Sequence, residues 1–243
     1  MERDWTENLS NWKYISRYSE WMFSTYADYI GKRVADIGAG TGNMTGYYLE
    51  RAERVVAVDV VERQVELMRA RFSDQPRFSA IKLDIMREDI SPLLAFHFDT
   101  VVCVNVIEHI EDDALFLEKL ASLVSPGGHV IVFAPAMQGL YSVFDENDGH
   151  YRRYGRNQLR EYGERLGLTV CKDRYFNFFG ALMLYLKGKR AGKSLKNTGL
   201  SCSATLGEGD GKLINMATRV LRPLERILPP VCGLSKVVVF RKP

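Results

Sequence analysis

The spacing of apolar and polar residues predicts an alternation of strands and helices along the chain. Short apolar runs are typical of parallel strands that helices cover on both faces. Strands are predicted at residues 34–37, 54–58, 77–83, 98–104, 129–133, 168–176 and 236–241. Segments with apolar residues three or four positions apart predict helices at 43–51, 62–72, 114–124 and 157–166, the last with Asn157 as a candidate cap. Five βα units in this order predict an α/β, doubly wound, mostly parallel sheet with right-handed crossovers.

The first predicted strand runs directly into a turn with glycines at 38, 40 and 42. Glycine allows the backbone to turn sharply and a ligand to approach it closely, and the free N–H groups of a following helix favour negative charge. Asp59 ends the second strand, where a carboxylate can accept two hydrogen bonds from a ribose diol. The glycine turn alone also fits an ordinary tight turn, but together with Asp59 it indicates a nucleotide site.

The glycine spacing excludes two common nucleotide motifs. The dinucleotide fingerprint has its third glycine or alanine one position later, where this chain has Asn43, and no Lys-Ser/Thr pair of a phosphate-binding loop follows. The stretch instead resembles the first motif of the class I, Rossmann-like S-adenosylmethionine-dependent methyltransferases of small-molecule type. The resemblance covers about residues 12–177 and the final strand.

This resemblance implies S-adenosylmethionine as cofactor, S-adenosylhomocysteine as product, and a seven-stranded sheet whose last strand inserts antiparallel between the fifth and sixth. Asp84 would accept the adenine amino group and Ile85 would pack on the base, although a cap for the following turn is an alternative role for Asp84. Asp99 fits the acidic position at the start of the fourth strand. The implied cofactor-binding residues are Asp36, Gly38, Gly40, Gly42, Asn43, Asp59, Val60, Asp84, Ile85, Asn105 and Val106.

Residues 105–109 follow the fourth strand and are predicted to line the methyl-transfer site, because ligands bind beyond the carboxyl ends of parallel strands. Methyltransferases that act on adenine or glutamine amines resemble one another in an Asn/Asp-Pro-Pro-aromatic motif at this position. This chain lacks both prolines there. Asn105 stands near the point where catechol-type enzymes carry a metal-binding aspartate, which predicts a metal-independent enzyme. His109 is a candidate catalytic residue, or else a helix-entry residue with a satisfied imidazole.

Residues 136–155 form a connection that is too long for a plain turn and is predicted to be a substrate loop. His150 is its candidate general base, and Arg152 and Arg153 are a candidate clamp for an anionic acceptor, beside Tyr154. Two alternatives stay open. One is a metal site formed by Asp145, Asp148 and His150; the other is an internal ion-pair network that holds the loop closed. The Gly-His-Tyr-Arg-Arg-Tyr segment resembles a subgroup of bacterial methyltransferases associated with glycan, glycolipid or secondary-metabolite pathways.

Two flanking regions complete a single predicted domain of residues 1–243. Residues 1–30 predict a lid helix, with Tyr14 and Tyr18 on a face that either contacts the acceptor or packs on the sheet. Residues 178–234 predict an elaboration: an apolar run, a basic run, a Gly/Ser linker at 198–211, and an amphipathic helix at 213–228 in which Pro223 starts a second helix. A helical cover over the pocket is favoured here over contact with a membrane surface or a lipid-linked substrate.

Composition and charge indicate which partners and which compartment to expect. The net charge of +3 over 243 residues gives no indication of nucleic-acid binding. The four cysteines lack metal-ligand spacing and predict buried free thiols in a reducing compartment. Neither a signal peptide nor an apolar run of membrane-spanning length is recognisable, so a cytoplasmic protein is expected, with its oligomeric state open.

The resulting prediction is methyl transfer to a small-molecule acceptor from secondary, glycan or lipid-linked metabolism. O-methylation is the first choice and N-methylation the second. A nicotinamide-dependent oxidoreductase and a non-catalytic cofactor-binding protein are the alternatives from other classes.

Overall fold

A computed structural model describes residues 15–191, 208–227 and 231–243. Its centre is a seven-stranded sheet in the order β3-β2-β1-β4-β5-β7-β6. Strands β1 to β5 pair in parallel, and β7 runs antiparallel between β5 and β6, as predicted. The strands are β1 Arg33–Ile37, β2 Arg54–Asp59, β3 Phe78–Lys82, β4 Phe98–Val104, β5 Val124–Pro135, β6 Thr169–Phe176 and β7 Ser235–Arg241.

Helices lie on both faces of this sheet. They are α1 Ser16–Ser24, α2 Thr45–Leu49, α3 Glu62–Arg71, α4 Ser91–Leu94, α5 Asp113–Leu123, α6 Val143–Asp148, α7 Gln158–Arg165, α8 Phe178–Ala191 and α9 Glu208–Ile227. Within the described ranges, none of these helices combines the length and apolarity that crossing a membrane requires.

Alternate residues of the central strands feed two separate cores. Val101 and Cys103 of β4 face one cluster with Leu117 of α5, while Val102 faces the other cluster with Trp21 of α1. Both faces are therefore covered, which explains why the strands read as continuous apolar runs. Each fully buried side chain of this kind contributes about 1.5–3 kcal/mol.

Strand β5 is longer than predicted because it begins at Val124, directly after α5. The Ser-Pro-Gly-Gly sequence, which lies between the predicted helix at 114–124 and the predicted strand at 129–133, is joined to the C-terminal residues: the Gly127 N–H donates to the Lys242 carbonyl, and the Lys242 N–H donates to the Gly128 carbonyl. At its other end, the 136–155 connection is not a plain loop. It contains a 3-10 turn, Gln138–Leu140, and helix α6, which a capping box of Ser142 and Asp145 starts.

The elaboration also differs from its prediction. Pro223 lies inside α9 and does not begin a second helix, and α9 already includes residues 208–211 of the predicted linker. Tertiary contacts carry the helix past the proline: the Glu225 carboxylate accepts hydrogen bonds from the N–H groups of Asn177 (3.0 Å) and Phe178 (2.6 Å). The rest of the linker, 198–207, lies outside the described residues.

Smaller predictions need correction as well. The Asn157 side chain makes no capping hydrogen bond to α7, because the residue itself has helical backbone angles. Cys103 is buried, but Cys171 is exposed because it lies on edge strand β6. Cys202 lies outside the described residues.

The N-terminal helix α1 packs against both the sheet and α9. The Tyr18 and Trp21 rings lie 5.5 Å and 4.5 Å from the ring of Phe176, and Trp21 is buried. Glu20 forms an ion pair with Arg222 of α9 at 2.8 Å. One face of α1 is therefore part of the hydrophobic core. Tyr14 lies outside the described residues.

Candidate active site

The glycine turn after β1 has the backbone conformation that its sequence predicts. Gly38, Gly40 and Gly42 all have positive φ angles, of 69°, 59° and 77°. A Cβ atom on Gly38 would lie 2.3 Å from a methyl carbon of Val106, so the turn also packs tightly against the segment after β4. Glycine is needed at position 38 for both reasons.

Asp59, at the end of β2, holds this turn in place. One carboxylate oxygen accepts a hydrogen bond from the Gly40 N–H (2.8 Å), and the other accepts one from the Val61 N–H (3.0 Å). The Gln64 side-chain amide, oriented to donate, lies 2.9 Å from one of these oxygens and 3.1 Å from the other. Contact of Asp59, Val60 and Asn43 with a cofactor stays a prediction.

Asp36, the last acidic residue before the glycines, is only 2% exposed. The Thr45 hydroxyl donates to its carboxylate at 2.7 Å. Burial, together with the nearby charge of Asp59, raises the pKa of Asp36 to about 7 even though the Thr45 bond opposes this shift. A positively charged ligand group near Asp36 would be stabilised strongly.

Asp84 and Ile85 follow β3. One oxygen of the Asp84 carboxylate accepts a hydrogen bond from the Met86 N–H (2.9 Å), which is the capping role left open by its sequence. Ile85 is buried in the main core, and its carbonyl accepts a hydrogen bond from the Lys119 ammonium group at 2.7 Å. The adenine contacts of both residues stay predictions.

The segment after β4 turns sharply at Asn105, whose φ is 52° and whose N–H donates to the Phe133 carbonyl. The 3-10 turn Ile107–His109 follows. Burial is the main cause that lowers the pKa of His109 to about 4, and neighbouring His150 adds to it. Asn105, Val106 and His109 thus follow the carboxyl end of β4, and their place in the methyl-transfer site stays a prediction.

The substrate loop brings His150 next to His109, with ring centroids 4.7 Å apart. His150 Nδ1 is 2.9 Å from a carboxylate oxygen of Asp145, and the Arg153 Nε is 2.7 Å from the same oxygen. Burial acts to lower the pKa of His150, but the Asp145 hydrogen bond and the charge of Glu108 outweigh it and raise the pKa. The neighbouring carboxylates thus stabilise the protonated form of this imidazole.

The arginines and Tyr154 are engaged within the protein. The Arg152 guanidinium forms an ion pair with Asp113 (2.8 Å), and Arg153 is buried against Asp145. Tyr154 is fully buried, and its hydroxyl lies 3.0 Å from Asp113 and 3.1 Å from the Ile107 carbonyl. For Arg153 and Tyr154 this geometry favours the ion-pair network over direct contact with an acceptor.

Glu108 falls within the segment predicted to line the methyl-transfer site, but the sequence interpretation gave it no role of its own. It lies between Ile107 and His109, is buried, and faces both histidines. An acidic residue next to a histidine in the segment after a strand could have indicated it, but its burial could not be read from that pattern.

The sheet order, the reversed last strand and the glycine turn define the fold of the class I, Rossmann-like S-adenosylmethionine-dependent methyltransferases. Residues 35–130 match the model of a family described as a methyltransferase domain.

Named relatives match only part of their length. The chain is 25% identical over 112 residues to the ubiquinone biosynthesis O-methyltransferase of Leptothrix cholodnii, covering 46% of this chain and 48% of that protein. It is 30% identical over 115 residues to the protein of the same name from Xylella fastidiosa, covering 43% and 45%. The matched region is thus less than half of these relatives.

Solved structures resemble the chain over most of its length. Coclaurine N-methyltransferase bound to N-methylheliamine and S-adenosylhomocysteine has a TM-score of 0.60 at 17% identity, covering 92% of this chain and 72% of that one. A methyltransferase from Archaeoglobus fulgidus has a TM-score of 0.58 at 21% identity, covering 96% and 98%. At these identities the likeness concerns the fold alone.

Proposed function

We propose that this protein transfers a methyl group from S-adenosylmethionine to a hydroxyl oxygen of a small molecule. The observation that carries the proposal is the glycine turn with positive φ at all three glycines, closed by the Asp59 carboxylate. Such a turn places closely approachable backbone next to a carboxylate at the carboxyl ends of parallel strands, where cofactors bind.

The residues present fit this cofactor. Asp59 would hold the ribose, Asp84 the adenine amino group, and buried Asp36 would lie close to the cationic end of the ligand. When bound, S-adenosylmethionine supplies an electrophilic methyl group on a positively charged sulfur. The protein's own task is to hold this methyl group and the acceptor close together in a pocket that excludes water, which can contribute about 7–11 kcal/mol.

The acceptor end of the proposal rests on the segment after β4 and the substrate loop. His109 and His150 face each other there, within reach of a group bound beyond Asn105. An oxygen acceptor is favoured because the relatives that match by sequence are named O-methyltransferases. N-methylation is the second choice. Tyr18 and Arg152 remain the proposed acceptor contacts, since Arg153 and Tyr154 are buried in the network.

A lipid-linked or otherwise amphipathic acceptor is supported by α9. This helix exposes apolar side chains on the side away from the sheet, including Met216 (62% exposed), Val220 (70%) and Ile227 (76%). Arginines 219, 222 and 226 lie between them in the sequence. Apolar side chains next to guanidinium groups fit a substrate with an apolar chain and an anionic head.

Calorimetric titration tests the cofactor half of the proposal. S-adenosylhomocysteine should bind the wild type, whereas NADH should not. Asp59→Ala should weaken binding about tenfold to 150-fold, as expected for hydrogen bonds to a charged group worth about 1.5–3 kcal/mol. Asp89→Ala is the matched control, because Asp89 likewise accepts a backbone N–H two residues ahead, from Ser91, and lies away from the glycine turn.

Methyl transfer itself is tested with S-adenosylmethionine labelled on the methyl carbon and a panel of phenols, catechols and amines, with and without alkyl chains. Label on an oxygen supports the proposal, and label on nitrogen supports the second choice. NADH binding in place of S-adenosylhomocysteine would refute the class of reaction. Cofactor binding without transfer to any acceptor of the panel would favour a non-catalytic cofactor-binding protein.

A further inference from the structure

Glu108 carries a buried side-chain carboxylate. Its side chain is 1% exposed, and among the described residues neither carboxylate oxygen has a hydrogen-bond partner. A buried carboxylate without a donor is strongly destabilising unless a positive group neutralises it. Its own carbonyl accepts a hydrogen bond from the Tyr151 N–H (2.8 Å), so the residue is fixed between the β4 turn and the substrate loop.

Two imidazoles complete the surroundings of this carboxylate. Glu108, His109 and His150 each place one potential ligand atom within 4.8 Å of the other two. A zinc ion with bonds of about 2.0–2.2 Å holds tetrahedral ligand atoms about 3.5 Å apart, so small side-chain rotations close the gap. Two imidazoles with one carboxylate are a donor set that binds first-row divalent ions and leaves further coordination positions open.

Each imidazole is also hydrogen-bonded to a group outside this cluster of three residues. His150 Nδ1 is hydrogen-bonded to Asp145, and Asp145 is fixed in turn by the Arg153 guanidinium and the Ser142 N–H (2.9 Å). His109 is hydrogen-bonded to the backbone of Gly149. Histidine ligands of metal ions characteristically donate their other ring N–H to a carboxylate or a backbone carbonyl, which fixes the tautomer and the ring orientation.

We propose that Glu108, His109 and His150 bind one divalent transition-metal ion, with Zn²⁺ the ion that best suits this donor set. The site differs from the Asp145, Asp148 and His150 set considered from the sequence, because Asp145 supports a ligand and is not one itself. It also replaces both the general-base interpretation of His150 and the expectation of metal independence. The ion would join the turn after β4 to the substrate loop.

The test is ion binding to the full chain, without cofactor or acceptor. EDTA-treated, dialysed protein is titrated calorimetrically with ZnCl₂, and Co²⁺ absorption reports the coordination of the ion. One ion per chain is expected in the wild type. His109→Asn/His150→Asn should lose this binding, while the matched control His97→Asn/His129→Asn, which removes the other two histidines of the chain, should keep it.

A carboxylate variant tests the third ligand. Glu108→Gln keeps the side-chain volume and removes the buried charge, so it should raise the melting temperature of the ion-free protein while abolishing the shift that Zn²⁺ produces in the wild type. If this variant does not fold, the comparison of the two double histidine variants still shows whether the ion binds at His109 and His150. Asp148→Asn should bind Zn²⁺ normally, because Asp148 is not a ligand here.

Three results would overturn the proposal. They are the absence of stoichiometric Zn²⁺ binding by the wild type, an equal loss of Zn²⁺ binding in the two double histidine variants, and a loss of Zn²⁺ binding in Asp148→Asn. The first would mean that protonated His150 neutralises Glu108 directly, and the last would support the set considered from the sequence. Because the assay uses the metal alone, its failure would leave proposed methyl transfer untouched, and failed methyl transfer would leave the ion site untouched.

Discussion

Asp36 allows a quantitative test of the cofactor end of the site. Its buried carboxyl group has a pKa of about 7, against 3.8 for the exposed group. For a carboxyl group, a raised folded-state pKa means that the folded protein holds the proton more tightly than the unfolded chain does. Stability therefore falls as pH rises from about 4 to about 7 and is level on either side of this window.

The size of this loss follows from the shift. About three pKa units at about 1.36 kcal/mol each give a loss on the order of 4 kcal/mol for this one group. Asp36→Asn removes the titration, and its amide oxygen can still accept the Thr45 hydroxyl bond. The stability of Asp36→Asn relative to the wild type should therefore increase by about 2.7 kcal/mol between pH 5 and pH 8, because about one of the three pKa units of this loss falls below pH 5.

The assay is urea denaturation of both proteins at pH 5 and pH 8, since other titrating groups largely cancel in the difference between variants. Thr45→Val serves as a second probe. It removes the hydroxyl that favours the ionised carboxylate, so the pH window should extend upward. A stability difference between Asp36→Asn and the wild type that is the same at pH 5 and pH 8 would refute the reasoning, because Asp36 would then be ionised throughout.

Further predictions concern packing and a buried ion pair. Gly38→Ala should lower stability by about 2–4 kcal/mol, from positive φ and overpacking against Val106, and Val106→Ala should recover only the packing part in urea denaturation of the double variant. Lys236 is 1% exposed and forms an ion pair with Asp173 at 2.6 Å. Lys236→Met should cost about 3 kcal/mol by the same method, and adding Asp173→Asn should recover part of it; equal losses in the single and double variants would show that the pair is not the cause. Arg152→Ala should raise KM for an anionic acceptor in steady-state assays while S-adenosylhomocysteine affinity is unchanged, and a fall in melting temperature with no change in KM would assign the arginine to the ion-pair network alone.

The sheet could be predicted from the sequence because its strands are buried on both faces. Continuous apolar runs identify such strands whatever their neighbours are, and β4 has the predicted bounds, Phe98–Val104. The start of β5 could not be predicted in this way. By local rules Gly127 and Gly128 indicate a turn, and it is hydrogen bonding to the distant Lys242 that makes them part of β5.

The helix through Pro223 shows the same limit. Local rules end or kink a helix at proline, but the Glu225 carboxylate two residues later binds the N–H groups at the start of α8 and keeps α9 continuous. Local propensity is a difference of a few kcal/mol, and two charge-assisted hydrogen bonds are of comparable size. Contacts distant in sequence therefore decide the outcome.

The cofactor side and the acceptor side of the site differed in predictability for a related reason. The glycine turn and Asp59 are read from spacing within one βα unit and the strand beside it. The acceptor side depends on which side chain of the 136–155 segment meets which residue after β4. Tyr154, chosen as an acceptor contact, is buried against Asp113, whereas Glu108 was not chosen and proves to be the buried carboxylate between the two histidines.

The two loops at the carboxyl ends of β4 and β5 act as one unit. The Tyr151 N–H donates to the Glu108 carbonyl, and the Arg152 guanidinium and the Tyr154 hydroxyl both reach Asp113. A substitution at any of these positions therefore changes the other loop as well as its own. Loss of turnover in a single variant cannot by itself identify a catalytic side chain here, because the same loss follows when the loops separate. Ligand-specific readouts on each side, metal stoichiometry for Glu108 and cofactor affinity for Asp59, separate the two causes, since the hydrogen bonds of the Asp59 carboxylate to the Gly40 and Val61 N–H groups involve neither loop.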